Sequence, residues 1–190
     1  NMTSQAQVTG LILAGGAGRR VGSRDKGLIK WRGKPLIAHV VERLQPQVDE
    51  LLISCNRNVQ QYRALAPTVV DSREEFQGPL AGLEAAAPKI TTEILVVVAC
   101  DIPLLPSDLV ERLTEPMHSS ADRAAEICYA HDGQRDQYLC AAIRSQCTSS
   151  LGFFLDQGHR AVHRWYQSRH CMAVDFSDRA ESFRNYNYLD

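Results

Sequence analysis

The chain has 190 residues, 21 Lys+Arg against 22 Asp+Glu and a formal net charge of −1, with 44% hydrophobic and 23% charged residues. That length and balance suit one domain over 1–190 that buries its own core. They exclude a chain-wide nucleic-acid surface, which needs a large basic excess. The longest strongly apolar run, Ile94–Cys100, is too short for a membrane span of ~20 residues. No basic, apolar and small-residue leader is visible, so the expected compartment is the cytoplasm. Asn1, ahead of Met2, is read as a cloning remnant and set aside. The six cysteines are scattered without a Cys-x-x-Cys pair, which predicts buried free thiols rather than disulfides.

In chain order, Val8–Leu13 predicts a short apolar strand running into a glycine-rich loop. Pro35 opens a helix in which Leu36, Val40, Val41 and Leu44 follow helical spacing. Leu51–Cys55 predicts a second strand, Val59–Leu65 a helix, and Thr68–Val70 a third strand ending at Asp71. A short helix over 80–87 stops near Pro88, and Ile94–Ala99 has the continuous β-rich pattern of a strand buried on both faces. Ser107 is the expected cap of a helix over Asp108–Leu113. After Pro116 the rhythm changes: Glu126–Ala130 and Gln137–Ile143 flank His131-Asp132-Gly133-Gln134, and Asp-Gly signals a hairpin. Helices over about 146–156 and 160–168 and a strand near Met172–Asp175 complete the pattern. The expected fold is α/β, a doubly wound Rossmann-like sheet, mostly parallel, with an antiparallel excursion in its second half. Ligands of such sheets sit beyond the carboxyl ends of the strands.

Residues 13–22 hold four glycines and two arginines. Glycine lets successive amides face an anion, and Arg19, Arg20 and Lys26 add positive charge, so the loop reads as a phosphate cradle. A P-loop fails, because Lys26-Gly27 is followed by Leu28 and Ile29. A dinucleotide fingerprint also fails: Val21 stands where its third glycine belongs, and Ser54-Cys55-Asn56 ends the second strand without a ribose-binding acid.

The run Leu-Ala-Gly-Gly-x-x-x-Arg-x-Gly-x-x-x-Lys over residues 13–26 resembles the nucleotidyltransferase signature. Asp25-Lys26-Gly27-Leu28 with Gly33-Lys34-Pro35-Leu36 is similar to the molybdenum cofactor guanylyltransferases, which join GMP to molybdopterin. The resemblance implies a fold of the nucleotide-diphospho-sugar transferase type and a nucleotide-binding half over about 1–115, followed by an acceptor-binding half over about 116–190.

Asp101 follows the buried strand, and Pro103 and Pro106 stiffen its turn. Triphosphate chemistry needs Mg²⁺, with Mn²⁺ the alternative, and Asp101 is the expected metal ligand because such ions take one or two protein carboxylates. Asp71 ends the third strand at the same crevice edge, in reach of ribose, base or metal-bound water. Gly78-Pro79-Leu80-Ala81-Gly82 suits a planar base or a helix start, and matches the family's Gly-Pro-Leu-Ala-Gly. The resemblance implies nucleotide contacts from Leu13, Ala14, Gly15, Lys26, Asp71 and Asp101. Gly16, Arg19, Gly22, Ser54, Gly78 and Gly82 are added to that list, with Lys26, Asp101 and Arg20 as the catalytic set. Ser54 departs from the family's Asn-x-Asn, where this chain has Ser54-Cys55-Asn56.

Gly158-His159-Arg160 opens the helix carrying Val162 and Trp165, and by resemblance Arg160 contacts the pterin phosphate; a solvated helix start is the alternative. His159 and His163 read as surface histidines, and Arg135-Asp136 as a salt-bridged turn or part of the acceptor pocket. Phe183-Arg-Asn185-Tyr-Asn187 resembles the family's terminal Phe-x-Asn-x-Asn, which makes Asn185 and Asn187 acceptor contacts. Family members continue with Thr-Pro and a final helix, where this chain stops at Asp190.

The implied reaction takes GMP from GTP to the terminal phosphate of molybdopterin or its molybdenum form and releases pyrophosphate. The alternatives are a cytidylyltransferase on the same acceptor, a sugar-phosphate nucleotidylyltransferase, or a non-catalytic nucleotide-binding adaptor. Transient contacts with other proteins of molybdenum cofactor biosynthesis are the implied partnerships. Seven cations against Asp25 make residues 19–34 +6 and leave −7 elsewhere; the asymmetry is expected to serve one compact triphosphate pocket.

Overall fold

A computed structural model describes residues 6–15, 24–73, 78–118 and 124–189. The first strand, β1 (Val8–Leu13), is buried along its whole length. A two-residue hairpin follows, β2 (Lys30–Trp31) and β3 (Lys34–Pro35). Arg32 at φ 49 and Gly33 at φ 84 form its turn, the pair of positive φ angles that matches the twist of a tight hairpin. Pro35 caps α1 (Leu36–Leu44), which buries Leu36, Ile37, Val40, Val41 and Leu44 on one face. Next come β4 (Glu50–Ser54), α2 (Val59–Arg63), β5 (Thr68–Val69), α3 (Pro79–Ala86), β6 (Ile94–Ala99) and α4 (Leu109–Thr114). The second half holds β7 (Ile127–His131), β8 (Asp136–Arg144), α5 (Leu151–Asp156), α6 (Val162–Gln167) and β9 (Cys171–Asp175).

Among the described residues the main sheet has seven strands in the order β5-β4-β1-β6-β8-β7-β9. All neighbours pair in parallel except β8, which runs antiparallel to both β6 and β7. The Asp132-Gly133 turn reverses the chain there: Gly133 takes φ +99, and Asp132 Oδ1 accepts from the amides of Gln134 and Arg135 at 2.9 and 2.8 Å. Leu13 is in register with Ser54 on one side and Ala99 on the other. The residues that follow these three strands therefore emerge on one edge.

Strand alternation divides the core between the two faces. Ile94, Val96 and Val98 of β6 pack with Ile37, Val40, Tyr62 and Leu109, while Leu95 and Val97 pack with Leu80, Leu83, Leu151 and Trp165. Each large aliphatic side chain buried this way contributes about 1.5–3 kcal/mol. The polar tips on the second face are satisfied, Trp165 Nε1 donating to Ser150 Oγ at 2.9 Å and Tyr166 Oη to the Tyr138 carbonyl at 2.6 Å.

Several expectations need correction. Ser107 does not cap α4: Asp108 occupies the N-cap without a side-chain bond, and Gln47 Oε1, from a distant loop, accepts the Val110 amide at 2.9 Å. The helix over 146–156 begins as a 3₁₀ segment over Ser145–Ser150 and becomes α-helical only at Leu151. Arg160 precedes α6 instead of lying in it. The six cysteines are free, five of them buried. No helix among the described residues is long and apolar enough to cross a membrane.

Candidate active site

The strand ends on the shared edge are tied together by backbone. Ala14 N donates to the Ser54 carbonyl at 2.8 Å, and Cys55 N to that of Val69 at 3.0 Å. Beyond them lies a small cleft that Leu13, Gly15, Ser54, Asp71, Gly78 and Gly82 all line. Six predicted nucleotide contacts, drawn from four segments, thus share one wall. Gly78 turns the chain into α3 at φ +83. A Cβ on Gly82 would meet Ser54 Oγ at 2.6 Å, so glycine lets α3 close onto β4 and leaves Ser54 only 3% exposed.

Two further residues shape this cleft. Asn56 Oδ1 accepts the Asp71 amide at 3.0 Å, and its Nδ2 would lie 3.2 Å from a Cβ on Gly15. It bridges the loops after β1 and β5. Arg73, whose amide donates to Asp71 Oδ1 at 2.8 Å, forms a two-pronged bond with Glu84 at 2.7 and 2.8 Å and reaches Asp156 at 2.9 Å. These contacts fasten the Asp71 turn to α3 and α5. The sequence signals for Asn56 are its place just past a strand and the last position of the family's Asn-x-Asn pattern.

On the other side of β1, Lys26 Nζ lies 4.0 Å from Asp101 Oδ2; the lysine side chain is 58% exposed and the aspartate 14%. Burial raises the Asp101 pKa above the ordinary carboxylate value, and the nearby Lys26 charge only partly offsets that. Cys100, behind it, is pushed up to about 12 by burial and then by the Asp101 charge. It stays a neutral thiol. Tyr62, from α2, donates to Asp25 Oδ1 at 2.5 Å; burial and then that bond hold its phenol far above the usual range. Gly16, Arg19, Arg20 and Gly22 lie outside the described residues.

Asp101 also lines a larger groove, together with the β7–β8 turn, Tyr138, Phe183 and Asn185. Ala99 in this groove is the register partner of Leu13 in the cleft, so the two spaces lie on neighbouring strands. Asn185 Oδ1 accepts the Asn187 amide at 3.2 Å. Neither Asn187 nor Arg160 lines the groove. Arg160 Nη1 donates to the carbonyls of Leu155 and His159 at 2.9 and 2.7 Å, closing the end of α5. His159 and His163 rest against Phe154 and Tyr138 respectively.

The model of the MobA-like NTP transferase domain matches residues 10–171. The chain belongs to the MobA-like NTP transferase family. Molybdenum cofactor guanylyltransferases from Shewanella woodyi and Shewanella halifaxensis are each 40% identical to it, over 95% and 96% of this chain and 91% and 90% of theirs. The solved molybdopterin-guanine dinucleotide biosynthesis protein A from Archaeoglobus fulgidus shares the fold, with a TM-score of 0.74 at 23% identity over 94% of this chain and 92% of that one.

Within this MobA-like transferase the dense positive segment is split. Lys30, Arg32 and Lys34 sit on or beside the β2–β3 hairpin, where Lys34 pairs with Glu42 and Arg32 stacks 4.2 Å over Trp31. The expected single pocket for all seven cations is corrected accordingly: the hairpin carries three of them away from the cleft. Among the described residues no cluster of three His, Cys, Asp or Glu could hold a metal ion. A lone, largely buried carboxylate fits a hard cation that arrives with phosphate oxygens, and does not fit an all-protein cage.

Proposed function

We propose that the chain transfers GMP from GTP to the terminal phosphate of molybdopterin or its molybdenum form. A phosphate oxygen of the acceptor attacks the α-phosphorus, the new P–O bond forms, and the bond to the β-phosphate breaks to release pyrophosphate. The observation that carries this reading is the Lys26–Asp101 pair, whose carboxylate lines the groove one strand over from the cleft. The 40% identity with guanylyltransferases over nearly the whole chain supports the choice of nucleotide and acceptor.

The nucleotide takes the cleft. Leu13, Gly15, Ser54, Asp71, Gly78 and Gly82 line it. Ala14 and Lys26, together with Gly16, Arg19, Arg20 and Gly22 outside the described residues, are the remaining proposed nucleotide contacts, with Arg19, Arg20 and Lys26 on the triphosphate. The acceptor takes the groove, with Asn185 as its polar contact; Asn187 and Arg160, which do not line it, are not assigned to it. Residues before about 115 form the nucleotide half and those after it the acceptor half of one domain. Asp101 would hold Mg²⁺, or Mn²⁺ in its place; bound there, the ion supplies neutralising charge to phosphate oxygens. No general base is required, because a phosphate monoester with a second pKa of about 6 is already ionised near neutrality. Lys26 and the loop arginines stabilise the charge that accumulates on the leaving pyrophosphate, so positioning and electrostatics do the catalysis. Six free thiols fit a reducing cytoplasm.

Labelled GTP incubated with molybdopterin and Mg²⁺ is expected to yield the guanine dinucleotide and pyrophosphate. Competition by CTP, ATP and UTP is expected to be weak. A clear CTP preference overturns the base assignment, and GTP binding without transfer favours the adaptor alternative.

A further inference from the structure

Lys26 stands between a carboxylate that a tyrosine hydroxyl bonds and a glycine that leaves that hydroxyl room. On its amino side, the Asp25 side chain is only 8% exposed. Its Oδ1 accepts from Tyr62 Oη at 2.5 Å, and its Oδ2 accepts from Asn58 Nδ2 at 3.0 Å with Arg57 Nε 3.8 Å away. On the carboxyl side, Gly27 is buried, and a Cβ there would meet the same Tyr62 Oη at 2.7 Å. Tyr62 is fully buried. Asn58 reaches Asp25 from a left-handed position, φ 54, at the start of α2.

A buried carboxylate is costly and persists where its bonds are satisfied. Here those bonds hold a turn of three residues, Lys26–Leu28, whose closing bond runs from Leu28 N to the Asp25 carbonyl at 3.0 Å. The lysine itself is a flexible four-carbon stem. Fixing its Cα from both sides restricts where the ammonium can reach, which lowers the entropy lost when it meets an anion.

We propose that Asp25 and Tyr62 are positioning residues: by pinning the backbone on both flanks of Lys26, they aim its ammonium at the triphosphate beside Asp101. The proposal rests on the reading of the site as a GTP-dependent transferase. Gly27 is required for the same reason, since any side chain would displace the hydroxyl that holds Asp25.

The test is a double-mutant cycle on the full chain with Tyr62→Phe, Lys26→Ala and their combination, measuring kcat, KM for GTP and acceptor, and the dissociation constant for GTP. Tyr62→Phe keeps the ring and its packing. It is expected to lower kcat by about 10- to 100-fold, the cost of a misplaced group, with acceptor KM unchanged. In the Lys26→Ala background it is expected to cost nothing more, because residues acting as one unit are non-additive. A purely structural role would lower the melting temperature and leave kcat of the folded enzyme untouched. Wild-type kcat in Tyr62→Phe, or losses that multiply in the combination, overturns the proposal. Should Tyr62→Phe fold poorly, Asn58→Ala is the second variant, expected to show a smaller loss that also vanishes without Lys26. Should the wild type bind GTP but transfer nothing, the transferase assignment fails while the same cycle is read on GTP affinity. Non-additivity there upholds the positioning role, and additivity or absent GTP binding overturns it.

Discussion

Lys26 Nζ lies 4.0 Å from Asp101 Oδ2, a cation from the turn after the glycine-rich loop facing a carboxylate from the end of β6. The pairing is incomplete. Burial still dominates the carboxylate and raises its pKa despite the lysine. Such a group is poised for further positive charge, which a triphosphate-bound cation would bring.

Asp101→Asn is therefore expected to abolish GMP transfer while raising the melting temperature near neutral pH. The sign follows from proton linkage. With its pKa raised, folded Asp101 binds its proton more tightly than unfolded Asp101. It lowers stability as pH rises from the ordinary value of 3.8 through the raised one, and the penalty persists above. The gain in the variant should shrink as pH falls toward 3.8. Thermal melts across pH, beside a GTP turnover assay, check both halves, and an unchanged or lowered melting temperature at neutral pH contradicts the burial account.

Gly82→Ala places a Cβ 2.6 Å from Ser54 Oγ and 3.4 Å from Leu13 Cδ2. Overpacking of this kind costs about 1–3 kcal/mol. Adding Ser54→Ala removes the offending oxygen, and most of the lost stability should return in denaturant unfolding. A double variant as unstable as Gly82→Ala alone would show that the clash lies elsewhere.

Arg73→Ala removes the two-pronged bond to Glu84 and the link to Asp156. The ion pairs are screened by solvent, so only a small loss of stability is expected. The larger consequence is for the Asp71 turn, which loses its tether to α3. KM for GTP should rise more than KM for the acceptor, and equal changes in both would argue against a role confined to the cleft.

Asn185 lines the groove and holds the following turn through the Asn187 amide. Asn185→Ala is expected to raise KM for the acceptor severalfold, in line with about 0.5–1.5 kcal/mol per hydrogen bond, and to leave GTP affinity unchanged. Steady-state kinetics with each substrate varied in turn separates the two.

Much of this was legible in the chain. Val8–Leu13 and Ile94–Ala99 are strands because β-branched, apolar runs of that length bury both faces, and Asp132-Gly133 marks the reversal that makes β8 antiparallel. The residues at and just past the strand ends are the natural site candidates, and Leu13, Gly15, Ser54 and Asp71 of them line one cleft with Gly78, which caps α3, and Gly82 within it. The β2–β3 hairpin escaped notice because two-residue strands carry no periodicity; its only signal was Gly33 after Arg32. Ser107 looked like a cap, but a glutamine about sixty residues away took that duty.

The sequence alone determined the alternation of strands and helices, the glycine-rich loop with Lys26 behind it and the placing of Asp101 at a strand end, since these depend on local pattern and turn chemistry. Tertiary structure decided which groups meet. Tyr62 finds Asp25, Arg73 finds Glu84 and Asp156, and Gly82 admits Ser54, across separations from 11 to 83 residues. It also divided the cluster of cations that the near-neutral total conceals, sending three to a hairpin and leaving Lys26 beside Asp101. Local propensity carries no information about such pairs; they exist only because the parallel register of β4, β1 and β6 brings those strand ends flush.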